Sequence, residues 1–303
     1  MPAGISSFFS IEYGKADRTP IGATGGGYVL SKGVTTRATL LSDGDAAVTT
    51  MVNGDANYRA RTTRRAVGLL TSECGVKFGL LFLKQEVDVP IGSGFGASAA
   101  SALSAVLASA AVLGIKRSKQ DLALFAHRAE IIEQTGLGTV SVIYDTAGAG
   151  AITVAGVPGV AKFTKVYVPK GTRIITAYLA PYDKRDALSS AKVSELISRL
   201  GRRALARFVD DQTLDNLAEQ GEWFSEKLGL ESREVKRLES IAKLAGASHA
   251  SQNMIGHSIH AITDEDSSGR VSKALSELGV PARVGVFEVG SKKAGLKETS
   301  HRR

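Results

Sequence analysis

The chain has 303 residues, 43% of them hydrophobic and 22% charged, which is ordinary for a globular protein and enough for a core in each of two domains. A single cysteine, Cys74, excludes an internal disulfide, and with nothing nearby to activate it, it reads as a structural or surface thiol. The formal net charge of +8, with basic clusters at Arg59–Arg65 and Lys292–Arg303, suits anionic partners, but aromatic residues total only 6% without the interleaving of an RNA-binding face, so a basic surface or an anionic small substrate is the better reading.

Met1 to Ile11 lacks the basic-then-apolar order of a secretory signal, so a cytoplasmic location is expected. Residues 4–13 read as a short loop and a strand. Gly22-Ala23-Thr24-Gly25-Gly26-Gly27 follows, then the strand residues Tyr28-Val29-Leu30. Ser31-Lys32-Gly33 reads as a turn, and Val34–Leu40, rich in β-branched residues, as the returning strand. Asp43-Gly44 and Asn53-Gly54 are further turn signals. Residues 60–73 have the pattern of a helix, and Val76–Val87 that of a strand pair or one long strand.

The most informative stretch is Pro90-Ile91-Gly92-Ser93-Gly94-Phe95-Gly96-Ala97-Ser98-Ala99-Ala100. Alternate glycines running into a helix start let backbone N–H groups approach an anion closely, and the helix dipole adds partial positive charge. On spacing alone a flexible loop or tight helix packing reads equally well. The string is not a Walker A loop, because no Gly-Lys-Ser/Thr follows, and it lacks the third glycine and later acidic residue of the dinucleotide fingerprint. Val89–Ile115 is free of charge and long enough to cross a bilayer, but its glycines, Pro90 and Ser98, Ser101, Ser104 and Ser109 mark a buried helix of a soluble protein.

That helix is expected from about Ser98 to Leu113, stopped by Gly114. Ser118 reads as the N-cap of a second helix through Thr135, broken by Gly136-Leu137-Gly138. A third short helix and the small-residue stretch Thr146–Ile152 follow, then a turn at Gly156-Val157-Pro158-Gly159. Beyond residue 165 the composition shifts. Arg173–Leu179 reads as a strand, Ser189–Ala245 as mostly amphipathic helix, His249–Thr263 as a small-residue strand or loop, Ser267–Leu278 as a helix and Ala282–Val289 as a final strand. The order implies an α+β architecture in two domains, 1–165 and 166–303. His257 and His260 lack an evident third metal ligand and read as ordinary surface or core histidines.

The 90–100 string, taken whole, resembles the second motif of the GHMP kinase superfamily, and within it the archaeal pantoate kinase branch. Pro2-x-x-Ile5-Ser6-x-Phe8-Phe9 resembles that branch's first motif. Asp17, Gly22-x-x-Gly25-x-Gly27 and Gly33-Val34-Thr35-Thr36 are similar to its next segment. Ala126-His127-x-Ala129-Glu130 and Thr135-Gly136-Leu137-Gly138 resemble its central segment, and Met254-Ile255-Gly256 its third motif. Between residues 165 and 245 no resemblance is visible. It implies a ribosomal protein S5 domain 2-like first domain, a ferredoxin-like second domain, and a ligand cleft between them. It also implies ATP held by Gly92, Ser93, Gly94, Phe95, Gly96, Ala97 and Ser98, with Ser98 and Glu130 as catalytic residues and Mg²⁺ ligands. Ser6, Thr24, Thr139 and Gly256 fall at substrate-side positions.

The pattern departs from the family at Thr139, where Gly-Leu-Gly-Asp-Val becomes Gly136-Leu137-Gly138-Thr139-Val140. Phosphoryl transfer rests mainly on positioning and charge neutralisation, so it can proceed without that aspartate. Alternatively Asp145 takes a related place, since in a helix positions 138, 142 and 145 share a face. The resemblance implies phosphorylation of a small anionic hydroxy acid, (R)-pantoate to 4-phosphopantoate on the way to coenzyme A, by a cytoplasmic homodimer. Arg18, Arg37, Arg61, Arg64 and Arg65 are candidates for the substrate carboxylate. Mevalonate, a mevalonate phosphate or homoserine are the alternative acceptors, and a non-catalytic nucleotide- or RNA-binding protein of the same fold is the reading from another class.

Overall fold

The computed structural model describes residues 1–14, 20–42, 46–180, 190–278, 282–290 and 295. Asp17, Arg18, Asp43-Gly44 and, apart from Gly295, the basic tail lie outside them.

Strand β1 (Pro2–Tyr13) runs antiparallel to β2 (Pro20–Ser42), a single 23-residue strand. The turn expected at Ser31-Lys32-Gly33 is therefore absent. Gly33 lies opposite Pro2, its carbonyl accepts from Asp88 N at 2.8 Å, and Val34 N donates to Met1 O at 2.8 Å. The glycine is there because any Cβ would collide with the Met1 carbonyl. A close backbone approach and a reversal carry the same sequence signal.

Downstream of Gly33, β2 pairs with β4 (Leu80–Val87), which is parallel to β3 (Ala47–Val52) through the crossover helix α1 (Arg61–Glu73). Asn53 and Gly54 form the expected tight turn, both with positive φ. With β5 (Ala149–Val154) and β6 (Lys162–Val166) these strands make a six-stranded sheet. Helix α2 (Ala97–Val112) starts from the glycine loop and α3 (Lys119–Glu133) follows, capped by the Ser118 hydroxyl accepting from Asp121 N at 3.0 Å. Left-handed Gln134 ends α3 one residue before the expected Thr135, and α4 (Thr139–Ile143) follows the Gly-Leu-Gly break. Leu103, Val106 and Leu107 of α2 share a core with Leu70 of α1 and Leu122 and Phe125 of α3. Among the described residues no helix is long and apolar enough to cross a membrane.

The second sheet begins with β7 (Arg173–Tyr178). Two helices, α5 (Ala191–Asp210) and α6 (Leu214–Leu228), then pack back on β1 of the first sheet, and α7 (Arg233–Leu244) returns to the second. The small-residue stretch resolves into β8 (His249–Gln252) and β9 (Ser258–Thr263), followed by α8 (Glu265–Ser276) and β10 (Arg283–Glu288). The order β10-β7-β9-β8, all antiparallel, is that of a ferredoxin-like layer. Val235 and Leu238 of α7 and Val271 and Leu275 of α8 cover it.

One apolar core ties the two sheets together. Phe8, Phe208 and Phe224 are fully buried in it, and each such ring contributes about 1.5–3 kcal/mol. The Phe9 and Phe224 rings lie 5.8 Å apart. Gly201 of α5 lets the helix backbone lie on the Phe9 carbonyl, where a Cβ has no room.

Candidate active site

The glycine loop takes the shape its sequence suggests. Gly92, Gly94 and Gly96 have φ of +79°, +82° and +61°, and such alternation turns successive N–H groups inward as an anion-binding nest. Gly96 is the N-cap of the 16-residue α2 and no side chain caps the helix, so the first-turn N–H groups stay open. Phe95 is an anchor, with its ring buried 6.5 Å from that of Phe287 and its carbonyl accepting from Gly4 N at 3.2 Å. The Ser93 carbonyl accepts from Ser258 Oγ at 2.6 Å, while its own buried hydroxyl has no partner among the described residues.

Ser98, in the first turn of α2, donates to Glu130 Oε1 of α3 at 2.8 Å. Thirty-two residues of sequence separate the two, and the α2–α3 packing brings them together. Glu130 is 1% exposed. Gly136 fits beside its carboxylate, where a Cβ would stand 2.6 Å from Oε1 and 2.8 Å from Oε2. A carboxylate and a hydroxyl at the mouth of an anion nest form a hard-oxygen donor set, the chemistry a phosphate-bound Mg²⁺ takes.

These groups open into a cavity of 980 Å³. Ser6, Thr24 and Thr139 are in its wall with the whole of 91–98 and Glu130. The Thr139 methyl packs where a Cβ on Gly96 would fall, 2.8 Å away, so it sits against the loop. Thr24 Oγ1 donates to Glu12 Oε1 at 3.3 Å. Gly256 does not line the cavity; it packs behind the loop against Ser93. Asp145 is exposed and outside the cavity, because α4 stops at Ile143 and the helical spacing that would aim it inward does not reach it. Among the described residues the carboxylates in the wall are Asp55, Glu130 and Glu133.

Of the candidate arginines, Arg61 lines the cavity, with Nε bonded to Glu133 Oε2 at 3.0 Å. Arg65 holds the other Glu133 oxygen at 3.1 Å, Arg64 reaches Thr50 Oγ1 at 3.3 Å, and Arg37 is exposed on β2; none of these three is in the wall. Arg59 is in the wall. It belongs to the basic cluster visible in the sequence, but nothing there singled it out.

Sequence reasoning also missed the buried polar layer behind the loop. His260 Nδ1 lies 2.7 Å from Asn253 Oδ1, and its Nε2 is 2.8 Å from Ser7 Oγ and 3.2 Å from Ser251 Oγ. Burial pushes the imidazole down to about 3, so it is neutral near pH 7. Among the described residues no group of three or more His, Cys, Asp or Glu side chains is placed to hold a metal.

Residues 60–145 match the model of the GHMP kinases N terminal domain family. The chain is 30% identical over 182 residues to the pantoate kinase of Methanospirillum hungatei, a match covering 57% of this chain but only 56% of that protein's length. It is 25% identical over 285 residues to the pantoate kinase of Thermococcus kodakarensis, covering 93% and 92%. A solved structure described as a phosphotransferase related to the CoA biosynthesis pathway superposes with a TM-score of 0.83 at 24% identity, over 97% of this chain and 95% of that one.

Proposed function

We propose, from the match of residues 60–145 to the GHMP kinases N terminal domain and the likeness to two pantoate kinases, that this chain is a small-molecule kinase that transfers the γ-phosphoryl group of ATP to the C4 hydroxyl of (R)-pantoate. The bond from γ-phosphorus to the β–γ bridging oxygen breaks, a bond to the C4 oxygen forms, and the hydroxyl proton is released; the products are ADP and 4-phosphopantoate. The observation that carries this reading is the 2.8 Å Ser98–Glu130 pair set under a loop with three left-handed glycines.

The loop N–H groups from Gly92 to Ala97 hold the triphosphate, and Ser98 and Glu130 would hold Mg²⁺, which supplies charge neutralisation on the phosphates. Ser6, Thr24 and Thr139 face the acceptor. With threonine at 139 and Asp145 outside the cavity, the residues of this chain act by orientation and charge rather than through a dedicated carboxylate base beside the hydroxyl. Arg59 is the preferred partner for the acceptor carboxylate, since the Arg61 guanidinium is engaged with Glu133. In this reading residues 1–165 form the ATP-binding domain and 166–303 complete the cleft, in a cytoplasmic homodimer.

Thr139 also keeps a second reading open, the same transfer to homoserine, mevalonate or a mevalonate phosphate. An ADP-release assay across these acids decides between them. Turnover with pantoate and its loss in Glu130→Ala are expected; turnover with another acid and none with pantoate overturns the assignment.

A further inference from the structure

The polar layer behind the glycine loop has a fixed proton order, which follows from the chemistry of its members. The Ser93 carbonyl only accepts, so Ser258 Oγ, 2.6 Å away, commits its one proton there. Ser258 Oγ must then accept from its other neighbour, which makes the Asn253 atom at 2.8 Å the amide nitrogen. Asn253 Oδ1 is thereby turned toward His260 Nδ1 at 2.7 Å, and that nitrogen must carry the ring proton. His260 Nε2 is left as an acceptor for the Ser7 hydroxyl at 2.8 Å, with Ser251 Oγ at 3.2 Å on the same atom. Every link is buried. The Asn253 backbone also packs against the loop, since a Cβ on Gly94 would stand 2.7 Å from its carbonyl oxygen.

We propose that His260 is a positioning residue for nucleotide binding: locked in the Nδ1–H tautomer, it orients Asn253 and, through Ser258, fixes the Ser93 carbonyl and with it the anion-binding face of the glycine loop. The inference rests on the kinase reading above and adds to it a device in the second sheet that acts on the phosphate site without touching phosphate. The imidazole is too deeply buried to charge near pH 7, so it serves as a fixed hydrogen-bond template and moves no proton.

The test is calorimetric titration of ATP with MgCl₂ into the full chain, for the wild type and for Ser258→Ala, His260→Asn and His260→Leu. Ser258→Ala removes the link to the loop together with the acceptor of the Asn253 amide; its ATP affinity should fall about tenfold, with a lowered melting temperature but a chain that stays folded. His260→Asn offers an amide N–H where Nδ1 stood and should stay within about threefold of wild type, whereas His260→Leu should match the loss in Ser258→Ala. A purely structural histidine would lower the melting temperature in both His260 variants without this split. Long-range ¹H–¹⁵N spectra of the wild type should show the Nδ1–H tautomer at pH 7, unchanged at pH 5. A wild type that binds ATP while Ser258→Ala binds equally well, or an Nε2–H tautomer, overturns the inference alone. A wild type that binds no ATP overturns the kinase reading together with it.

Discussion

Gly136→Ala isolates the placement of one carboxylate. The added Cβ would lie 2.6 Å from Glu130 Oε1, which already accepts from Ser98 at 2.8 Å. Ordinary van der Waals contact begins near 3.4 Å, so either the carboxylate retreats by about 0.8 Å or the Gly-Leu-Gly segment shifts by as much. The position has no left-handed φ, so the substitution tests the clash and not backbone strain. Overpacking of this kind costs about 1–3 kcal/mol of stability. A catalytic group displaced by about 1 Å can cost roughly 100-fold in rate, so kcat should fall on that scale while the chain stays folded. Gly138→Ala is the matched control in the same break, because its Cβ would meet the Ile152 methyl at 3.1 Å and the Ala23 methyl at 3.3 Å, away from the carboxylate. ADP release at saturating ATP and acceptor, with melting curves for both variants, reads the result. Gly136→Ala with kcat within threefold of wild type, or a Gly138→Ala loss of equal size, would refute the reasoning.

Arg59→Ala should raise the KM for the acceptor acid about tenfold with the KM for ATP nearly unchanged; the opposite split would move Arg59 to the nucleotide side. Asp145→Asn should leave kcat within about twofold, since the carboxylate lies outside the cavity. His127 is 1% exposed, and neither ring nitrogen has a hydrogen-bond partner among the described residues; burial lowers its pKa to about 4 from 6.5. A folded pKa below the unfolded value means its contribution is full above pH 6.5 and declines as pH falls toward 4. His127→Leu should therefore gain roughly 1 kcal/mol at pH 7 and flatten the acid loss of stability over that window, as melting temperatures from pH 7 to 4 would record.

The shape of the glycine loop was legible because it is local: alternate glycines before a helix start dictate backbone conformation within ten residues. The caps were legible for the same reason, as Ser118 on α3 illustrates. Gly33 misled because a glycine chosen for close approach to Met1 looks like one chosen for a reversal. Asp145 misled because periodicity was extended past a helix of only five residues. His260 was beyond reach: its partner Ser7 lies 253 positions away, and no local pattern distinguishes a hydrogen-bond template from an ordinary core histidine.

The seating of α5 and α6 on β1 also bears on how the chain is made. Phe8 and Phe9 leave the ribosome before the surfaces that bury them, around Gly201 and Phe224, which follow about 190 residues or more later. At about 5–20 residues per second the first sheet waits roughly 10–40 s with an apolar face uncovered. For that interval Ile5-Ser6-Ser7-Phe8-Phe9-Ser10-Ile11, uncharged and paired along one edge with β2, lacks the helical cover over its Phe9 face. Holdase chaperones that recognise extended apolar segments should engage the nascent chain there, and the yield of soluble protein should respond to translation speed through residues 60–200 more than to any substitution in the active site.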